Sequence, residues 1–199
     1  FEQKLSSVVN ELDRAIDECD ELLTQNEVFL ARTQNVSCLT IEDAVNFGVT
    51  GPILRSTGLI EDVRISEPYG IYNRFDFGIP IGSTGDCWDR YFVRMLEMRE
   101  SLSIIKQAMK QMEPGEVQAK MRRIVRPPEG ECFVRTESPR GDLGVFLVSD
   151  GSQNPYRVKV RAPSFANLQA IKHMLEGVYV ADAVVILGSL DIVLGEVDR

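Results

Sequence analysis

The sequence predicts an α+β fold that is mainly helical, a bundle built on two long helices with a small antiparallel sheet. Three observations carry this expectation. Apolar residues recur at helical spacing over 2–23 and again over 86–112. Between residues 131 and 161 the period shortens and turn formers separate the apolar runs. Elsewhere Gly and Pro punctuate short segments, and no repeat or low-complexity tract intervenes.

In the first helix Leu5, Val8, Val9, Leu12, Ile16, Cys19, Leu22 and Leu23 make the stripe. The residues between are mostly acidic, so the segment through Leu30 carries −6 of the chain's formal −8. That face reads either as solvated or as a docking surface for a basic partner. An apolar stripe of this length must pack, and the second long helix or material outside the chain is expected to cover it. Thr40-Ile41-Glu42-Asp43 reads as a helix start and Gly48 as its stop. Gly51-Pro52 opens another short helix, closed near Gly58. Residues 59–85 read as an irregular loop pinned by Tyr69, Tyr72, Phe75 and Phe77.

The helix expected over Asp86–Met112 would run roughly 40 Å, with Pro114-Gly115 as its stop. Its stripe (Trp88, Tyr91, Phe92, Met95, Met98, Leu102, Ile105, Met109, Met112) is read as core packing. Arg90, Arg94, Glu97 and Arg99 stand at steps that permit intrahelical ion pairs. Residues 116–130 form a basic, Pro-rich connector with Lys120, Arg122, Arg123 and Arg126. Strands are expected over Glu131–Ser138, Gly144–Val148 and Tyr156–Arg161, with Ser149-Asp150-Gly151 turning between the last two. Ser164–Leu175 returns to helix with Ser164 as its cap, and Ala181–Leu187 fits either a strand or a buried helix.

Composition bounds the function. The 199 residues are 44% hydrophobic and 26% charged, which excludes collagen-like and disordered classes. A chain of this length buries roughly 70% of its unfolded surface, enough for one domain or one plus an appended helix. The negative charge argues against nucleic acid as a partner. No apolar run reaches the ~18 residues of a membrane span, and no signal peptide is recognisable. The chain begins at Phe1 and is expected to be processed or a piece of something longer. Cys19, Cys38, Cys87 and Cys132 have no metal-type spacing and are expected to be reduced, buried thiols.

Catalytic signatures are sparse. His173, the single histidine, reads as a helix-surface or packing residue. Gly82-Ser-Thr-Gly85 and Gly141-Asp-Leu-Gly144 lack the dinucleotide and P-loop patterns. The acidic pair Glu61/Asp62 carries no information by itself. Two polar clusters stand out. Glu137-Ser-Pro-Arg140-Gly141-Asp142 lies between strands, where it reads as a salt-bridged turn or as a turn holding the Arg140 guanidinium over a cavity. The tail Asp191-Ile-Val-Leu-Gly-Glu-Val-Asp-Arg199 is apolar enough to be buried, and a buried acid needs a partner or a raised pKa. Asp191 is therefore the leading titratable candidate.

A set of motifs occurs in one order along the chain. They are Gly51-Pro-Ile-Leu-Arg-Ser-Thr-Gly58, Asp89-Arg-Tyr-Phe-Val-Arg94 with Glu97-Met98-Arg99, Glu137-Ser-Pro-Arg-Gly141, and Gly144-Val-Phe-Leu-Val-Ser-Asp-Gly151. Pro155-Tyr-Arg157, Arg161-Ala-Pro163 and Gly195-Glu-Val-Asp-Arg199 complete the set. It resembles the quinone-site subunit family of respiratory complex I (NADH-quinone oxidoreductase), the D subunit of the bacterial enzymes and a relative of the nickel–iron hydrogenase large subunit. The resemblance covers the carboxy-terminal half of that family's chain, with 1–27 as an amphipathic acidic helix and 28–199 as the family core.

The resemblance implies a hydrogenase-large-subunit-like fold and a share in quinone reduction by NADH:quinone oxidoreductase, coupled to proton translocation. It implies that Asp191, Val193, Arg199 and Arg140 lie at the quinone cavity, and that the headgroup-contacting histidine and tyrosine lie in the absent amino-terminal half. No cofactor or metal is expected on this chain. Quinone is the substrate, and the iron–sulfur clusters belong to partner subunits of the peripheral arm, one of them beside the quinone site. The expected location is peripheral, on the cytoplasmic side of the inner (cell) membrane, and the fragment is expected to be inactive alone. Ser189-Leu-Asp-Ile-Val193 stands where hydrogenases carry a metal-ligating Cys-x-x-Cys. A hydrogenase-type subunit or a redox-silent scaffold are the alternative readings.

Overall fold

The computed structural model describes residues 1–120 and 124–198. Arg122, Arg123 and Arg199 fall outside them. The first helix, α1 (Glu2–Cys19), widens into a π-helical turn over Asp20–Thr24. Asn26 then caps α2 (Glu27–Thr33), its side-chain oxygen accepting from the N–H groups of Val28 and Phe29 at 3.0 and 3.1 Å.

Thr40 caps α3 (Ile41–Asn46), accepting from Asp43 N at 3.1 Å while its hydroxyl donates to the Asp43 carboxylate at 2.6 Å. Pro52 begins α4 (Pro52–Ser56), where its missing N–H costs nothing. The stretch expected to be irregular contains two helical turns, α5 (Val63–Ser66), capped by Asp62, and a 3-10 turn over Tyr72–Arg74. The aromatics beyond it do pack on one another, with Tyr69 and Tyr72 rings 5.0 Å apart.

The long helix α6 (Cys87–Gln111) starts at Asp86, whose carboxylate accepts from Asp89 N at 2.8 Å. Val9 and Ile16 of α1 pack against Met95 and Leu102 of α6. Three acids of α1 and the π-turn are held by the same helix, Lys106–Asp13 at 2.7 Å, Arg99–Asp17 at 2.8 Å and Arg99–Asp20 at 3.0 Å. Of the charged residues whose spacing permits pairs along α6, Arg90, Glu97 and Arg99 instead reach across to other elements. The far side of the α1 stripe, including Val8, Leu12 and Leu22, is exposed.

The sheet is antiparallel in the order β1 (Gly130–Ser138), β2 (Gly141–Ser149), β3 (Arg157–Arg161). β2 begins earlier than its apolar run, because Pro139-Arg140 alone closes the hairpin and Ser138 pairs with Gly141. That tip presses backbone to backbone on the turn before α4. A Cβ on Gly51 (φ +71°) would lie 2.5 Å from Gly141 Cα, and one on Gly141 (φ +128°) 2.5 Å from Thr50 Oγ1. Buried Asn167 locks the junction, accepting from Thr50 N at 3.0 Å and donating to the Arg140 carbonyl at 2.9 Å.

The helix expected over 164–175 is broken into α7 (Pro163–Leu168) and α8 (Ile171–Met174). Ser164 is not its cap. Pro163 occupies the first helical position after Ala162, and the Ser164 hydroxyl donates to the Glu196 carboxylate at 2.5 Å. The ambiguous apolar segment is helical, α9 (Ala183–Leu190). It is stopped by Asp191 in the left-handed region (φ 52°, ψ 52°), and a last turn, α10 (Leu194–Val197), follows.

The main core joins Leu39, Ala44, Ile53, Leu54, Met174, Ile186 and Leu190, each larger side chain contributing about 1.5–3 kcal/mol on burial. Among the described residues no helix is long and apolar enough to cross a membrane. Of the cysteines only Cys87 is buried; Cys19, Cys38 and Cys132 are exposed, against the expectation of buried thiols.

Candidate functional site

A cavity of about 850 Å³ opens between α6, α9, α2 and the tip of the β1–β2 hairpin. One face of α6 makes its floor, with Tyr91, Arg94, Met95 and Met98 at three- and four-residue steps. This corrects the reading of the α6 stripe as core throughout. Met95 is buried beside α1, but Met98 is 42% exposed in the cavity wall. Phe29 packs edge-on against Tyr91 at 4.9 Å between ring centroids, and the aromatic and Met side chains make that side apolar.

The opposite side is charged. Arg55, within the apolar run of α4, is 1% exposed. Its Nε donates to Glu97 at 2.7 Å, and its Nη1 donates to Glu137 at 2.9 Å and to the Glu61 carbonyl at 2.8 Å. Asp62 stands 3.6 Å from it and is held in a fork by Arg64, which also lies over the Phe77 ring at 4.9 Å. Burial works to depress the Arg55 pKa, but Glu97 and Glu137 outweigh it and hold it above its ordinary value. Burial pushes the Glu137 carboxyl up, assisted by Asp62 and resisted by Arg55 and the Val63 N–H.

Farther along the wall two guanidiniums share one carboxylate. Arg140, carried at the hairpin tip, reaches Asp191 at 3.2 Å. Arg94 Nε is 4.0 Å from the same carboxylate. The Nη1 of Arg94 donates to the Arg90 carbonyl at 2.8 Å, while its Nε is buried with no hydrogen-bond partner. Burial lowers the Arg94 pKa to about 10, so it remains a cation at neutral pH.

Arg90, one turn back, is fully buried and differently employed. It donates to the carbonyls of Ser37 and Gly85, to Cys87 Sγ and to Ser189 Oγ at 2.6–3.1 Å. It clamps the 35–39 loop and α9 onto α6. Asp89 gathers the N–H groups of Ser83, Thr84 and Gly85 on one oxygen. These two residues build the wall without facing the cavity.

The structure thus brings Asp191 and Arg140 together and leaves Val193 apart. Neither Arg140 nor Val193 lines the cavity; Arg140 reaches it only through Asp191, and the Val193 N–H donates to Ser164 Oγ at 3.3 Å. Arg199 lies outside the described residues. Two expectations change. Asp191 is not a buried acid, since its side chain is 42% exposed. The 137–142 cluster is not a self-contained ion-paired turn, since Glu137 pairs with Arg55, Arg140 with Asp191 and Asp142 with Arg135. His173 is half-buried beside Asp43 and against the Phe47 ring, away from the cavity, in keeping with a helix-surface or packing residue. Sequence reasoning does not single out Arg55, Arg64, Arg94 and Glu97 as site residues. The available signal is a lone arginine inside the apolar run Pro52-Ile-Leu-Arg-Ser.

Among the described residues no group of acids, histidines and cysteines could hold a metal ion. The cavity offers an apolar floor and, at the other end, fixed guanidiniums and carboxylates. That combination fits a ligand with an apolar body and electron-rich oxygens.

Comparison with known proteins supplies the family. The family described as "Respiratory-chain NADH dehydrogenase, 49 Kd subunit" matches over residues 1–128 and 120–199. The NADH-quinone oxidoreductase D subunit of Desulforamulus reducens is 48% identical over 198 residues, covering all of this chain and 54% of the relative. Its counterpart in Dehalococcoides mccartyi is 47% identical over 199 residues, again with all of this chain and 54% of the relative. That of Bacillus mycoides is 47% identical over 197 residues, with 98% and 54% covered. The chain spans about half the length of these relatives and belongs to the family of the 49 kDa subunit of respiratory-chain NADH dehydrogenase.

Proposed function

We propose that the cavity is the part of a quinone-reduction site that the carboxy-terminal half of this subunit contributes to NADH:quinone oxidoreductase. The observation that carries this reading is the division of the cavity. It has an apolar Phe29–Tyr91–Met95–Met98 side for a ring and chain, and a charged end at Arg94 and Asp191 for carbonyl oxygens, with Arg140 bonded to Asp191 from outside the lining. The family membership gives that chemistry its context.

In this reading electrons from NADH arrive through iron–sulfur clusters of other peripheral-arm subunits, the last of them beside this one. Quinone takes two electrons and two protons to become quinol, and the complex couples the step to proton translocation at the membrane. The chain supplies a wall of the cavity. The remaining half of the subunit supplies the histidine and tyrosine that meet the headgroup, so the chain alone is inactive. Residues 28–199 form the family core in a hydrogenase-large-subunit-like arrangement, with 1–27 as an amphipathic acidic helix. The place of action is the membrane periphery, on the cytoplasmic side. The hydrogenase-type alternative would need thiolate ligands where Ser189–Val193 stand.

The test is Asp191→Ala in the complete enzyme, in its own membranes. NADH:quinone reductase should fall roughly tenfold or more, with NADH oxidation by an artificial acceptor retained. Loss of both would give Asp191 an assembly role, and no change in either would remove the tail from the quinone site.

A further inference from the structure

We propose that Arg94 is a contact for a quinone carbonyl oxygen and holds the negative charge that develops there as the headgroup is reduced. This rests on the quinone reading of the cavity and adds to it a residue for which the chain provides no sufficient partner of its own.

A guanidinium carries five N–H donors. Arg90 and Arg55, both fully buried, direct theirs to carbonyls, carboxylates, a hydroxyl and a thiol of this chain. Arg94 lies on α6 between the two clusters that they organise. Among the described residues it makes a single hydrogen bond, to the Arg90 carbonyl. Its Nε is sealed from water and unpartnered. Its side chain is 20% exposed, and its Nη2 has no acceptor among the described residues, so the cation is partly desolvated and open to an electron-rich group in the cavity.

Asp191 does not fill the role. Its carboxylate is engaged by Arg140 at 3.2–3.3 Å and stands 4.0 Å from Arg94 Nε. Glu97, the other acid close along α6, is bound to Arg55. Two guanidiniums facing one carboxylate leave a surplus positive charge at this end, and Arg94 is in the cavity wall. The missing partner comes from outside these residues, and because Arg94 lines the cavity, the oxygen assigned to it is one of the occupant's. Carbonyl oxygens gain charge when electrons enter a quinone, so the interaction strengthens as the reaction proceeds.

Two electrons come from the partner subunits' iron–sulfur clusters, two C=O π bonds are lost and two O–H bonds form with protons from other donors. Arg94 gives up no proton. With its pKa at about 10 it stays charged throughout at neutral pH.

The experiment uses the complete NADH:quinone oxidoreductase in membranes, with Arg94→Lys and Arg94→Gln. Quinone reduction is measured with a short-chain ubiquinone, next to NADH oxidation by ferricyanide. For Lys, which keeps charge without the fork, KM for the quinone should rise roughly tenfold with kcat largely kept. For Gln, kcat/KM should fall roughly a hundredfold, with ferricyanide reduction unchanged in both. Unchanged quinone kinetics in both variants would overturn the proposal. So would loss of ferricyanide reduction together with quinone reduction, because it would place the partner of Arg94 inside the protein. If Asp191→Ala is silent as well, the quinone reading itself falls. If only the Arg94 variants are silent, this inference alone falls.

Discussion

Glu137 is held by groups that pull its proton in opposite directions. Burial and neighbouring Asp62 favour the neutral acid, while Arg55 and the Val63 N–H favour the carboxylate, and the first pair prevails. An acid whose folded pKa is raised binds its proton more tightly folded than unfolded. Its contribution to stability is thus complete below the unfolded value near 4.5 and is lost as pH rises through the folded value. Glu137→Gln should flatten that fall in thermal stability above pH 4.5. An unchanged slope would show that Glu137 titrates as in the unfolded chain. The variant also breaks a buried ion pair, at a cost of about 3–5 kcal/mol, so the slope with pH is the readout, not the midpoint at one pH. None of this is legible in the sequence. Glu137 stands out there as one end of a charged turn, and its partner Arg55, 82 positions away, is visible only as an arginine among apolar neighbours.

At the scale of elements, periodicity is informative wherever the decisive contacts are local. The 86–112 helix and the three strands lie within a few residues of their expected positions, because caps, Pro and Gly act on their own neighbourhood. The differences arise where a distant partner decides. Ser164 gives its hydroxyl to Glu196 rather than to a cap, and β2 extends to Gly141 because the hairpin tip docks on Thr50-Gly51. The charged steps of α6 permit pairs along the helix, yet Glu97 and Arg99 bond to α4, α1 and the π-turn. The seam between α1 and α6 gives a direct test. Leu102 is buried there and Leu12 is on the open side. Leu102→Ala should destabilise by roughly 2–5 kcal/mol, and Leu12→Ala by about 0.5 kcal/mol or less, in chemical denaturation. Equal losses would mean that the whole stripe is covered.

At the scale of the molecule, the cavity is a product of assembly from segments distant in sequence, with Tyr72 adding a single residue. α2, α4–α5, the hairpin tip, α6 and α9 each bring two or more residues to it. The resemblance points to Arg140 and Asp191, which do meet at its edge. Val193 does not join them there, and the residues that fill the wall are a Met–Tyr face that periodicity reads as core. Sequence pattern cannot separate a stripe that faces a core from one that faces a cavity, because both are apolar. The central claim is that this cavity takes the quinone. The most direct measurement is photo-crosslinking of the complete enzyme with an azido-quinone that competes with substrate, followed by peptide mapping. The expected result is label on α6 between Tyr91 and Met98, suppressed by excess quinone. Competable label confined to other segments, with α6 and the 137–140 tip unmodified, would contradict it.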